Sequence, residues 1–211
     1  MDTLDYDTLI STIPLDALCS RLHGLDEGVR SEAKKLTHSA VHIIGIGLEG
    51  TPPDVLKTKC WMYFPEAGSP YYRVTVFSNY SPFHVPDPSK HWSLMAEVCE
   101  TPMKPVDVSD LVDRTIEALQ NDRLIPAAPS VISTWHRRLE HGYPTPFLGR
   151  DRVLRTVHDA LERRRIFSRG RFGAWKYEVS NQDHSFMQGV ELASRLITGE
   201  PEVTVKGLLP K

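Results

Sequence analysis

Residues 166–189, IFSRGRFGAWKYEVSNQDHSFMQG, constrain this chain more than any other stretch. They read as a strand, a crowded polar turn and the start of a helix. Ser180-x-x-Asp183 has the spacing of a capping box, in which two side chains satisfy the first unpaired amides of a helix. Phe186, Val190, Ala193 and Ile197 then recur on one face of a 3.6-residue period, and Gly199 supplies a left-handed stop. A helix start carries unpaired N–H groups and about half a positive charge. With Arg171, Tyr177, Asn181 and Gln182 leading into it, this one suits an anion or a heterocycle. The same spacing also describes a well-capped surface helix.

The preceding residues alternate between extended and helical patterns. TLIST is extended, and a helix opens at Pro14-Leu15-Asp16 with Leu15, Leu18 and Leu22 on one side and Gly24 at its end. Residues 41–48, VHIIGIGL, predict a buried strand whose glycines leave room for close packing. Residues 60–65 and 72–78 predict a hairpin across the turn EAGSP. The period of two puts Trp61 with Tyr63, and Arg73 with Thr75 and Phe77. If residue 63 pairs with residue 73, aromatic rings flank a guanidinium, an arrangement suited to a diphosphate. An arginine on a strand is otherwise more often solvated or ion-paired. A proline-rich loop at 81–90, a strand at 91–98, a helix capped by Ser109, a strand from 131 and a helix over about 152–164 complete the order. The fold class is α+β, with antiparallel-type strands first and α and β elements alternating later.

Composition excludes several functions. The 25 basic and 27 acidic residues leave no electrostatic footprint for nucleic acid. Cys19, Cys60 and Cys99 are an odd count without C-x-x-C spacing, which implies reduced thiols and a cytoplasmic setting. No apolar run approaches the roughly 18 residues of a membrane span. His136 and His141 lack metal-ligand spacing, so no metal is assigned.

The segment RGRFGAWKYEVSNQDHSFMQGVE resembles the C-terminal signature of the eukaryotic, fungal-type UDP-galactopyranose mutases. VHIIGIGLEG, KCWMYFPEAGSPYYRVTVFSNYSP and HRRLEHGYPTP agree in the same order. The resemblance runs over nearly the whole chain and about the C-terminal half of the family's length. It implies a substrate-binding sheet with helices over residues 1–165, a C-terminal strand and helix of a Rossmann-like FAD domain over 166–199, and a loose tail over 200–211. In the family the reduced flavin's N5 attacks the sugar's anomeric carbon, UDP departs, and the ring opens and recloses smaller, converting UDP-galactopyranose to UDP-galactofuranose.

By the same resemblance, Arg73 corresponds to the arginine that clamps the pyrophosphate, and Tyr63, Tyr143 and Tyr177 to tyrosines that donate to the phosphates. Trp61 and Tyr80 correspond to residues that line the family's substrate cleft. Arg171, Asn181, Gln182 and Ser185 correspond to flavin contacts, while Ser180 stands where the family usually has glycine. In the family a G-x-G-x-x-G after the first strand of the flavin domain holds the FAD pyrophosphate; the one string of that spacing here, Gly45-Ile46-Gly47-Leu48-Glu49-Gly50, belongs to the VHIIGIGLEG block, so the resemblance implies that the fingerprint itself is missing. The resemblance therefore implies FAD and a UDP-galactose-type sugar nucleotide as ligands. It also implies a chain supplying the N-terminal half, and inactivity of these residues alone. A non-catalytic UDP-sugar-binding remnant is the alternative. A flavin amine oxidase or protoporphyrinogen oxidase relative would not explain Trp61, Tyr63, Arg73 and Tyr143 together.

Overall fold

The computed structural model describes residues 4–129 and 131–205. In chain order the elements are β1 (Leu9–Ser11), α1 (Leu15–Arg21), α2 (Glu27–Ala33), β2 (His38–Glu49), β3 (Trp61–Tyr63) and β4 (Arg73–Val76). They continue with β5 (His91–Glu100), α3 (Leu111–Asn121), β6 (Val131–Pro144), α4 (Arg150–Glu162), β7 (Ile166–Ser168) and α5 (Gln182–Thr198). The chain forms two compact units, Met1–His38 with Tyr143–Lys211, and Ser39–Gly142. This division does not follow the expected boundary between residues 165 and 166, because the N-terminal β1 pairs in parallel with β7 (Leu9 with Ile166, Ser11 with Ser168).

The Ser39–Gly142 unit is a five-stranded sheet in the order β3-β4-β5-β2-β6. β3, β4, β5 and β2 run antiparallel in turn, which fits the expected class. On one face Ile44, Ile46, Leu48, Val74, Val76, Leu94 and Ala96 form a core with Leu111, Ala118 and Leu119 of α3. The glycines of β2 face β6: a Cβ on Gly45 would lie 3.7 Å from that of Trp135, and one on Gly47 only 2.4 Å from Ser133 Oγ. A side chain at 47 would therefore require the Ser133 hydroxyl to turn away. Ser109 does not cap α3. Its hydroxyl donates to Asp107, and Asp110 occupies the cap position, so the helix begins one residue later than the pattern predicts.

The other unit packs α1, α2 and α4 around Leu15, Leu18, Leu154, Val157, Leu161, Phe172 and Trp175. The charged segment 26–35 holds α2, started by the Asp26 carboxylate accepting from the Gly28 and Val29 amides. Residues 201–205, expected to be loosely held, are pinned. Val205 joins the core, and the buried Glu202 accepts from Arg169 and Arg195, which both also bind Glu162. Residues 206–211 of the expected tail lie outside the described residues. In α5 the predicted face is not a buried one: Phe186 is 71% and Ile197 83% exposed, whereas Gln188 and Leu192 are buried. Gly199 ends the helix at φ +80°, as its position predicts. No described helix is long and apolar enough to cross a membrane.

Candidate functional site

The hairpin sets the first cluster. Tyr63 pairs with Arg73 and Trp61 with Thr75, the register that brings the aromatic and cationic faces together. The Arg73 guanidinium carbon lies 5.6 Å from the Trp61 ring centre and 5.9 Å from those of Tyr63 and Tyr72, within the range of cation–π attraction. Beneath it, Glu97 of β5 pairs with Arg73 across the strands. One Glu97 oxygen accepts from Arg73 Nε at 2.8 Å and from Nη2, and the other accepts from the Tyr72 hydroxyl at 2.6 Å. Tyr80 joins through its ring, 6.5 Å from that of Trp61. The rings of Trp61 and Tyr63 are more than half exposed, so the cage opens to solvent while its carboxylate base does not. On the same sheet face a cavity of about 340 Å³ is lined by Ile43, Gly45, Gly47, Phe77, His84 and Trp135.

The second cluster belongs to the other unit. Arg171 lies 4.2 Å over the Tyr143 ring and donates through Nη1 to the Ser180 carbonyl at 3.0 Å. The Tyr143 and Tyr177 rings are 6.0 Å apart. The intervening turn is tight: a Cβ on Gly173 would lie 2.1 Å from the Arg169 carbonyl oxygen, and the buried Trp175 is held at φ +55°. Ser180 and Asp183 form no capping box. The cap position falls at Asn181, which makes no side-chain cap bond, and the Ser180 hydroxyl donates back to the Tyr177 carbonyl at 2.9 Å. The first helical bond runs from the Ser185 amide to the Asn181 carbonyl. Asn181 and Gln182 are exposed and Ser185 half-buried at this helix start.

Three residues outside the sequence reading hold these clusters. Glu97 underlies Arg73. Gln188, fully buried within α5, accepts from the Gly170 amide and donates to the Val179 carbonyl, tying both ends of the turn to the helix. Arg150 donates to Glu178 and Asp151, and this guanidinium holds the Glu178 carboxyl below its ordinary range. A polar residue inside an otherwise apolar strand was the available signal for Glu97. Gln188 gives none, since a glutamine on a helix is ordinarily solvated. His136 is hydrogen-bonded at 2.9 Å to the buried His42, whose other nitrogen meets Glu100 at 2.9 Å. Burial and then the neighbouring His42 push the His136 pKa down.

No protein-family model matches the chain. A solved structure matches it with a TM-score of 0.92 and 47% identity over 98% of its length. That structure is a reduced UDP-galactopyranose mutase. The present chain spans 44% of the mutase chain, so the likeness covers nearly everything here and less than half of the mutase. A protein from Exiguobacterium sp. 255-15 named as a protoporphyrinogen oxidase matches with a TM-score of 0.60 at 16% identity, over 89% of this chain and 41% of its own. At that identity the likeness is one of fold. The mutase match extends through the residues of both clusters.

Proposed function

We propose that this chain is the sugar-nucleotide-recognising part of a UDP-galactopyranose mutase-type flavoprotein. Arg73 would take the diphosphate of a UDP-galactose-type ligand, and Trp61, Tyr63 and Tyr80 would flank it. The observation that carries the reading is the Tyr63–Arg73 register, which converts a sequence spacing into a guanidinium flanked by rings. The mutase match supports it. Isomerisation itself belongs to a mutase of full length, with the rest of that length in the same or another polypeptide.

The donors at the start of α5 fit the polar edge of a flavin ring: Asn181 and Gln182 offer amide groups, Ser185 a hydroxyl, and Arg171 a guanidinium whose charge favours an anionic ring. They do not supply a pyrophosphate loop for FAD: the one G-x-G-x-x-G string, Gly45 to Gly50, runs along the end of the antiparallel strand β2 and opens no helix. When bound, a reduced flavin would supply the nucleophile for ring contraction. The part of this chain's residues is to hold the sugar nucleotide and stabilise the departing diphosphate with fixed donors.

The test is calorimetry with UDP and uridine. Arg73→Ala should weaken UDP about tenfold to a hundredfold, the cost of losing charge-assisted hydrogen bonds, with uridine little changed. Arg73→Lys should restore part of the loss, because a point charge attracts phosphate without the planar fork. Equal losses for both ligands would show that Arg73 serves the fold alone.

A further inference from the structure

Glu97 occupies a position where an ionised side chain is costly. It is 3% exposed, in register with Arg73 on one side and Ile43 on the other, in a sheet whose neighbouring residues Ala96 and Val98 are apolar and buried. An apolar residue would complete that sheet at lower desolvation cost. The carboxylate is instead fully engaged: Oε1 accepts from Nε and Nη2 of Arg73, and Oε2 from the Tyr72 hydroxyl. The Tyr72 amide also donates to the Glu97 carbonyl at 3.0 Å, so two successive residues of the hairpin are fastened to one residue of β5.

Such a grip fixes more than an ion pair. A guanidinium held at its Nε edge cannot turn about its side-chain axis, and its plane is set relative to the rings of Trp61 and Tyr63. Without the carboxylate, the cation would keep its charge and lose its direction. A solvated arginine reaches a phosphate as a flexible donor and forfeits conformational freedom on binding.

We propose that Glu97, fixed by the Tyr72 hydroxyl, is the positioning residue that holds the Arg73 guanidinium in the orientation required to take two phosphate oxygens side by side. This rests on reading Arg73 as the diphosphate-binding residue. Glu97 itself would repel the ligand's charge, so its contribution is geometric, and this separates it from a residue that merely adds attraction.

The readout is the ratio of UDP to uridine affinity, which a merely structural role would not move. Glu97→Gln keeps an acceptor oxygen and the side-chain volume, and should leave the ratio within about threefold of wild type. Glu97→Leu should lower it about tenfold, and Tyr72→Phe, which removes only a hydroxyl and should fold, about threefold. Lower melting temperatures with an unchanged ratio in Glu97→Leu and Tyr72→Phe would overturn the proposal. A ratio lost in Arg73→Ala but indifferent to both of those variants would leave the Arg73 reading standing and remove Glu97 from it. UDP binding no more tightly than uridine to the wild-type chain would sink both.

Discussion

In the Ser39–Gly142 unit, Ile44, Val74, Leu94 and Ala96 lie against Leu111 and Leu119 of α3, so the sheet closes a core with its own helix. In the other unit, α5 leaves Phe186, Val190, Leu196 and Ile197 in water, and its last turns are held by charge: Arg195 and the buried Arg169 share Glu162 and Glu202. The difference shows two ways of fixing an element. Apolar burial is non-directional and tolerates substitution of similar volume. A buried ionic network is directional, costs desolvation, and fails as a group when one member is removed. The unit with the charge network is also the one whose sheet has just two strands of three residues, and its apolar core is packed chiefly among α1, α2 and α4.

The largest expected effect follows from that network. Glu202→Ala would leave the nearly inaccessible Arg169 short of its main partner and should destabilise the unit by about 3–5 kcal/mol. Denaturant unfolding followed by amide exchange in α4 and α5 measures it, and exchange unchanged in the Ser39–Gly142 strands would sharpen the contrast. A loss under about 1 kcal/mol would mean that the network is incidental.

The next effect depends on pH. His158, buried in α4 of the same unit, has its pKa pushed from 6.5 down to about 4, chiefly by burial and then by the neighbouring Arg169 charge. A histidine whose folded pKa lies below its unfolded value binds protons preferentially when unfolded. Its contribution is therefore complete above pH 6.5, is lost as pH falls towards about 4, and amounts to about 3 kcal/mol over that window. His158→Leu should flatten the pH dependence of unfolding between pH 4 and 6.5, and an unchanged slope would assign acid sensitivity elsewhere, for example to Glu100 and His136 in the other unit.

The exposed face of α5 offers a smaller effect of opposite sign. Burying a large apolar side chain contributes about 1.5–3 kcal/mol, so exposed Phe186 and Ile197 should drive self-association of the chain. Phe186→Ser with Ile197→Ser should weaken any dimer seen in sedimentation by at least about tenfold. A wild-type chain that stays monomeric at high concentration would erase this half of the comparison. Smallest is Ser180→Ala, which removes the hydroxyl's bond to the Tyr177 carbonyl and should cost about 1 kcal/mol in thermal unfolding.

Much of the fold is legible where a single period decides it. The strands of the sheet, the hairpin pairing of residue 63 with residue 73, the helix over α4 and the Gly199 stop all follow from spacing and turn chemistry. The Ser109 and Ser180 caps do not, because a serine before a helix has several backbone groups within reach and sequence does not say which it meets. The face of α5 was read correctly as apolar, yet periodicity cannot say whether that face is covered. For the candidate site, the aromatic and arginine residues were legible through spacing and resemblance, while their supports were not.

What the sequence by itself determined is local: which residues extend, which coil, which glycines allow close approach, and that Trp61, Tyr63 and Arg73 would share a surface if the hairpin formed in one register. The tertiary structure alone decided the contacts between distant residues. These are Glu97 under Arg73, Gln188 bridging Gly170 and Val179, Glu202 joining Arg169 and Arg195, and β1 beside β7. The physical reason is that side-chain periods are set by neighbours a few residues apart, whereas the partner of a buried charge is chosen by which strand or turn the whole fold brings within hydrogen-bond distance.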